Sequence, residues 1–134
     1  PANLFVAGFL GSPAMNVLHG TLGQADGLHL SLDDGTRLPL GNAPVADAWK
    51  GRRVAMGVRP EHLQPASIGK PAIEAQVELI EPVGNEVFVN LAYAGQALVA
   101  RVPPQRLPEP GQALRVTVEG AALHFFDPDS GLRL

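Results

Sequence analysis

Along most of the chain, short apolar runs alternate residue by residue with polar ones, and glycine or proline stands between the runs. Leu28, Leu30 and Leu32 alternate with His29, Ser31 and Asp33, the period-two pattern of a half-buried strand. Asp33, Asp34 and Gly35 form a tight turn before Thr36, Leu38 and Leu40 return, so a hairpin is predicted. Val54, Met56 and Val58 alternate with Arg53 and Ala55. Ile73, Ala75, Val77 and Leu79 are placed on one face of a further strand, opposite Glu74, Gln76, Glu78 and Ile80. Pro82 cannot donate to a central ladder, so "EPVGNE" is expected to separate this strand from the next. Val87, Val89 and Leu91 then oppose Glu86, Phe88 and Asn90. Leu98, Ala100 and Val102 make another strand, and Leu114, Val116 and Val118 another, before "ALHFF" completes the apolar series. The pattern predicts about eight strands of roughly five to seven residues, an all-β small barrel or sandwich.

The start departs from this rhythm. Leu4, Phe5, Ala7, Phe9 and Leu10 can share one helical face, with Pro1 acceptable in a first turn and Gly11 a stop, so a short helix is expected over residues 1–12. A helix this short needs packing to be stable in water. Phe5 and Phe9 are therefore expected to dock on a missing neighbouring domain or partner, with residues 13–134 forming the β-domain. Pro1 in place of an initiator methionine agrees with a cut or processed chain.

Composition narrows the class. The 15 glycines and 13 prolines among 134 residues are the punctuation of many short strands. Charged residues are 17% and the net charge is −3, the wrong balance for a nucleic-acid binder. The lack of cysteine excludes disulfides and thiolate metal cages. No run approaches the ~18 apolar residues of a spanning helix.

Candidate chemistry is sparse. The chain carries none of the phosphate-loop, dinucleotide, zinc-protease, hydrolase-elbow or calcium-loop motifs. Its 4 histidines never fall at ligand spacing, so no metal site and no catalytic residue is assigned. Asp33 and Asp34 suit a solvated turn, as do Asp127 and Asp129 around Pro128, whose carboxylates can accept local backbone donors. "RPEHL" differs, because Pro60 fixes the backbone after a strand and would hold Arg59, Glu61 and His62 in a set geometry. The Arg59 fork could clamp Glu61, a carbonyl or a bound anion. Phe88, and Phe125 or Phe126, leave aromatic area outside a single core and are candidate interface residues.

Four segments in order, "PANLFVAGFLGSPAMN", "MGVRPEHL", "VELIEPVGNEVFVNL" and "HFFDPDSGLRL", resemble the C-terminal regulatory region of ATP-binding subunits of bacterial ABC importers. The type is the maltose, multiple-sugar and glycerol-3-phosphate class. The resemblance implies an oligonucleotide-binding-type β-barrel arrangement, the TOBE domain, following an absent nucleotide-binding domain. That absent domain would hold ATP and magnesium; this piece would hold no cofactor. It implies a second copy of the subunit, permease subunits and a regulatory protein as partners, without nucleic acid, on the cytoplasmic side of the bacterial inner membrane as a peripheral subunit. Arg59, Glu61 and His62 match the family's "RPEH" segment, Gly84 and Glu86 its "GNE" segment, and Phe125 and Asp127 its closing segment. With Phe5 and Phe9 these are the candidate interface or regulatory contacts. The competing reading is an autonomous small-ligand or oxyanion-binding barrel built around Arg59.

Overall fold

The computed structural model describes residues 14–67 and 72–134. The chain forms two compact units, one from Pro1–Val58 with Gly120–Leu134 and one from Arg59–Glu119. The helix expected over residues 1–12, with Phe5 and Phe9, lies outside the described residues. The helical elements among the described residues are three 3-10 turns, Asp47–Trp49, Pro60–His62 and Gly120–Ala122.

In the first unit β1 (Asn16–Gly23), β2 (His29–Leu32), β3 (Arg37–Pro39), β4 (Arg53–Val58) and β10 (His124–Phe126) make one sheet. Its order is β10-β4-β1-β2-β3, with antiparallel pairing throughout. Leu18, Leu22, Leu30, Leu38, Val54 and Met56 are buried in its core. The interior strand β4 is buried on both faces, because Met15, Ala55 and Phe126 form a second small cluster with Val17 packed against it. Gly57 sits in that cluster, and a Cβ there would collide with the Met15 sulfur. The Asp33-Asp34-Gly35 turn joins β2 to β3 with Gly35 at φ 90°, a conformation that costs glycine little.

In the second unit β5 (Leu63–Pro65), β6 (Ile73–Val83), β7 (Glu86–Tyr93), β8 (Gln96–Val102) and β9 (Ala113–Val118) are ordered β5-β9-β6-β7-β8. Inward residues of successive strands, Leu63, Val77, Val89, Leu91, Leu98, Ala100, Val102 and Val116, are nearly inaccessible. They are the alternate positions of each run, so the pleat buries one face of each strand.

Three expectations are corrected. The small barrel of about eight strands is replaced, among the described residues, by ten strands in two open five-stranded sheets. The strand β5 was hidden by its brevity and by Pro65, which is tolerated because β5 is an edge that pairs only with β9. The edges β5 and β8 share no ladder. Instead the Gln64 side chain donates from Nε2 to the carbonyls of Glu61 at 2.8 Å and Arg101 at 2.9 Å.

Next, Pro82 does not end a strand. β6 pairs with β9 only through Ile73–Gln76 and thereafter with β7 alone, so Pro82 stands on a local edge where its missing donor costs nothing. Finally, Leu79 does not share the face of Val77. A β-bulge lies between Val77 and Leu79, which pair with Leu91 and Asn90 respectively. The extra residue, Glu78, inverts the alternation. Leu79 is left 50% exposed and Ile80 faces the buried side with Val89.

Candidate functional site

The 3-10 turn Pro60–His62 begins after Arg59, whose extended backbone (φ −71°, ψ 147°) delivers Pro60 at the first helical position. The His62 N–H donates to the Arg59 carbonyl at 2.9 Å. Pro60 and Leu63 are buried, anchoring the turn at both ends, while Glu61 between them is half-buried. Glu86 opens β7 after a hairpin turn in which Gly84 adopts φ 61°, a left-handed conformation that explains glycine there. Arg101 lies on β8 directly opposite Phe88.

These three elements converge. Arg101 Nη2 stands 3.6 Å from Glu61 Oε2, and Arg101 Nε stands 3.6 Å from Glu86 Oε2. At that separation the contacts are ion pairs and not hydrogen bonds. A shallow pocket of about 290 Å³ is lined by Glu61, Asn85, Glu86, Arg101, Val102 and Pro103. Two carboxylates face one guanidinium, so the corner carries a net negative charge and repels an anion. It can hold a fixed charge pattern toward a partner, and it presents no nucleophile with a base.

Thus the "RPEH" and "GNE" segments meet, but through a residue that neither contains. Arg101 was legible only as an outward position between Ala100 and Val102; its register partner is Phe88, and its ion pairs reach Glu86 near the start of β7 and Glu61 in the 3-10 turn. The clamp of Arg59 on Glu61 is not formed: Arg59 is half-buried and makes no ion pair among the described residues. The His62 Nδ1 is shielded from solvent and has no partner among the described residues.

The closing segment is built differently. Phe125 is 3% exposed and packs against Trp49 with ring centroids 5.9 Å apart. Asp127 Oδ1 accepts from the backbone N–H groups of Asp129 at 2.9 Å and Ser130 at 2.8 Å, while its Oδ2 accepts from Arg52 Nη2 at 2.6 Å. The backbone donors of Ser130 and Asp129 are the main cause that holds the Asp127 carboxyl below the usual carboxylate range, with the Arg52 charge a smaller one. Among the described residues there is no cluster of acidic or histidine side chains able to hold a metal, and no helix long and apolar enough to cross a membrane.

Two overlapping family matches follow one another along the chain. Residues 11–63 match the "MalK OB fold domain" and residues 56–126 match the "TOBE domain". The chain is 42% identical over all 134 residues to the sn-glycerol-3-phosphate import ATP-binding protein UgpC of Yersinia pestis, covering 36% of it. It is 36% identical over 129 residues, 95% of the chain, to the sulfoquinovosyl glycerol transport ATP-binding protein SmoE of Agrobacterium fabrum, covering 35% of that protein. The chain therefore spans little more than a third of the curated relatives it matches. Among solved structures it is similar to the cytoplasmic molybdate-binding protein ModG with molybdate bound. The TM-score is 0.65 with 18% identity, over 84% of this chain and 96% of that one, a likeness of fold.

Proposed function

The chain belongs to the TOBE domain family, and from that premise we propose that it is the regulatory and dimerisation domain of the ATP-binding subunit of an ABC importer for sugars or glycerol-3-phosphate. The observation that carries this reading is identity over the whole chain, at 42%, to a glycerol-3-phosphate import ATP-binding protein, through both consecutive domain matches. Residues 13–134 form the regulatory part. ATP and magnesium bind the nucleotide-binding domain of the parent subunit, which couples hydrolysis to import on the cytoplasmic face of the inner membrane. Permease subunits and a second ATP-binding subunit complete the machine.

The carboxylate corner fits a positioning role. Arg101 links Glu61 of the 3-10 turn to Glu86 at the start of β7, where the ion pairs add little to stability and define a charge pattern. The same pattern speaks against an oxyanion bound at this corner, since its guanidinium, Arg101, is already outnumbered by carboxylates.

The test is transport by cells lacking the gene for the intact parent subunit. Uptake of labelled glycerol-3-phosphate or of one labelled sugar is expected to be lost and to return when the intact subunit is restored. Unchanged uptake across glycerol-3-phosphate and a panel of mono- and disaccharides would overturn the proposal.

A further inference from the structure

The bulge in β6 has another effect beside inverting the strand. Cross-strand partners point to the same side of a sheet, so the pairs Leu79 with Asn90, Glu81 with Phe88 and Val83 with Glu86 share one face. Phe88 and Asn90 in turn pair with Arg101 and Val99. On this side Leu79 and Val83 are each 50% exposed, and Phe88 and Val99 are half-buried. Those are two of the three large hydrophobic residues left exposed among the described residues; the third, Leu132, lies in the other unit. Without the bulge the same stretch would turn Leu79 and Val83 inward. A scattered apolar residue on a surface is ordinary, whereas an apolar strip within a charged rim marks a docking face.

The rim identifies the occupant by charge. Glu61, Glu81 and Glu86 border the strip with Arg101 as the cation among them. Glu81 Oε1 accepts from Asn90 Nδ2 at 3.3 Å, so its carboxylate stays on this face. We propose that the outward face of β6, β7 and β8 is the docking surface for a different protein, one that offers an apolar centre flanked by lysine or arginine. A second copy meeting this face with its own would set carboxylate against carboxylate, and an anionic lipid surface or nucleic acid would be repelled. The partner lies on the face and does not extend the sheet: beyond Val77 the free edge of β6 carries Glu78, Glu81 and Pro82, which discourage strand addition. The inference deepens the regulatory reading by giving the partner's chemistry.

The test uses the intact parent subunit in its native cells, with a benzophenone amino acid replacing Leu79 or Val83, and Leu132 as the control position. Irradiation is expected to give adducts at the first two positions with another polypeptide, mapped to a segment whose apolar residues adjoin lysine or arginine. Glu81→Lys combined with Glu86→Gln should lower the yield by about fivefold or more, because rim charges steer encounter. If that variant does not accumulate, raised ionic strength in permeabilised cells should lower the yield of the original subunit instead. Adducts with a second copy, with the same chain, with lipid or nucleic acid, or with an acidic segment would overturn the proposal. So would a yield no higher than at Leu132, or one indifferent to both charge reversal and salt. These readings are independent of solute uptake, so failure of the transport assignment and failure of the docking face are separable.

Discussion

The closing segment around Phe125 and the carboxylate corner around Arg101 resemble each other in sequence, each an aromatic or acidic cluster beside a proline or glycine. In the structure they are opposites. Phe125 is sealed beneath Trp49, and Asp127 is occupied by two backbone N–H groups and Arg52. Glu61 and Glu86 instead share one guanidinium at 3.6 Å and stay partly exposed. The closing segment has its hydrogen-bonding capacity consumed by its own fold; the corner keeps an unbalanced charge in view of solvent. The proposed partner contacts belong to the latter kind, and sequence composition does not distinguish the two.

The comparison breaks most readily at Phe125. Phe125→Ala should destabilise the chain by about 3–5 kcal/mol, the cost of a lost aromatic plus the cavity it leaves. Urea unfolding followed by the fluorescence of Trp49 would measure it, since Trp49 is the lone tryptophan and touches the deleted ring. A loss below about 1 kcal/mol would mean that Phe125 is not a core residue. In the other unit, Leu79→Ser should stay within about 0.5 kcal/mol, as surface substitutions do.

What could be read from the residues is governed by what decides each feature. The runs Val87-Val89-Leu91 and Leu98-Ala100-Val102 were legible because burial of one face fixes a period of two. Phe125 and Phe126, adjacent and therefore on opposite faces, suggested spare aromatic area. Both are buried, at 3% and 0%, because β10 is covered on one side by Trp49 and on the other by the Met15 and Ala55 cluster. Periodicity cannot show that a strand is covered twice. Nor does it show a bulge, since Glu78 is recognised as an extra residue only when Leu91 and Asn90 are known as the partners of its neighbours. The meeting of Glu61 with Glu86 depends on Arg101, three elements brought together by tertiary packing rather than by spacing. The Asp127 turn was legible because its donors lie within three residues.

An intermediate effect is expected at Asp127 and sharpens the contrast through pH. Its folded-state acidity constant is depressed, so its contribution to stability is fully present above the unfolded aspartate value of about 3.9 and is lost as pH falls through the folded value. Asp127→Asn keeps an accepting oxygen and loses the charge. The variant should be less stable than the original at pH 7, and the difference should shrink on acidification below about pH 4. Thermal melts of both proteins between pH 7 and pH 3 would show it. A gap that widens on acidification would contradict the assignment of Asp127 as a charged turn acceptor.

The smallest effect is expected where the functional claim is largest. Arg101→Met removes the cation shared by Glu61 and Glu86 while keeping an apolar stem of similar length. Both ion pairs are long and their side chains are 33–51% exposed, so solvent screens most of their attraction. The loss in stability should be under about 1 kcal/mol and should diminish further in 0.5 M salt. Yet the substitution leaves every carboxylate of the rim in place and removes its one opposing charge, which makes the outward face more acidic. A basic partner should then be held as well or better, although Glu61 and Glu86 lose their common anchor. The decisive comparison is therefore with Phe125→Ala in the same urea titration. If Arg101→Met cost as much, the corner would be a stabilising element of the fold like the closing segment, and the difference between the two regions would disappear. A small, salt-sensitive loss would mean that the fold tolerates the corner without needing it.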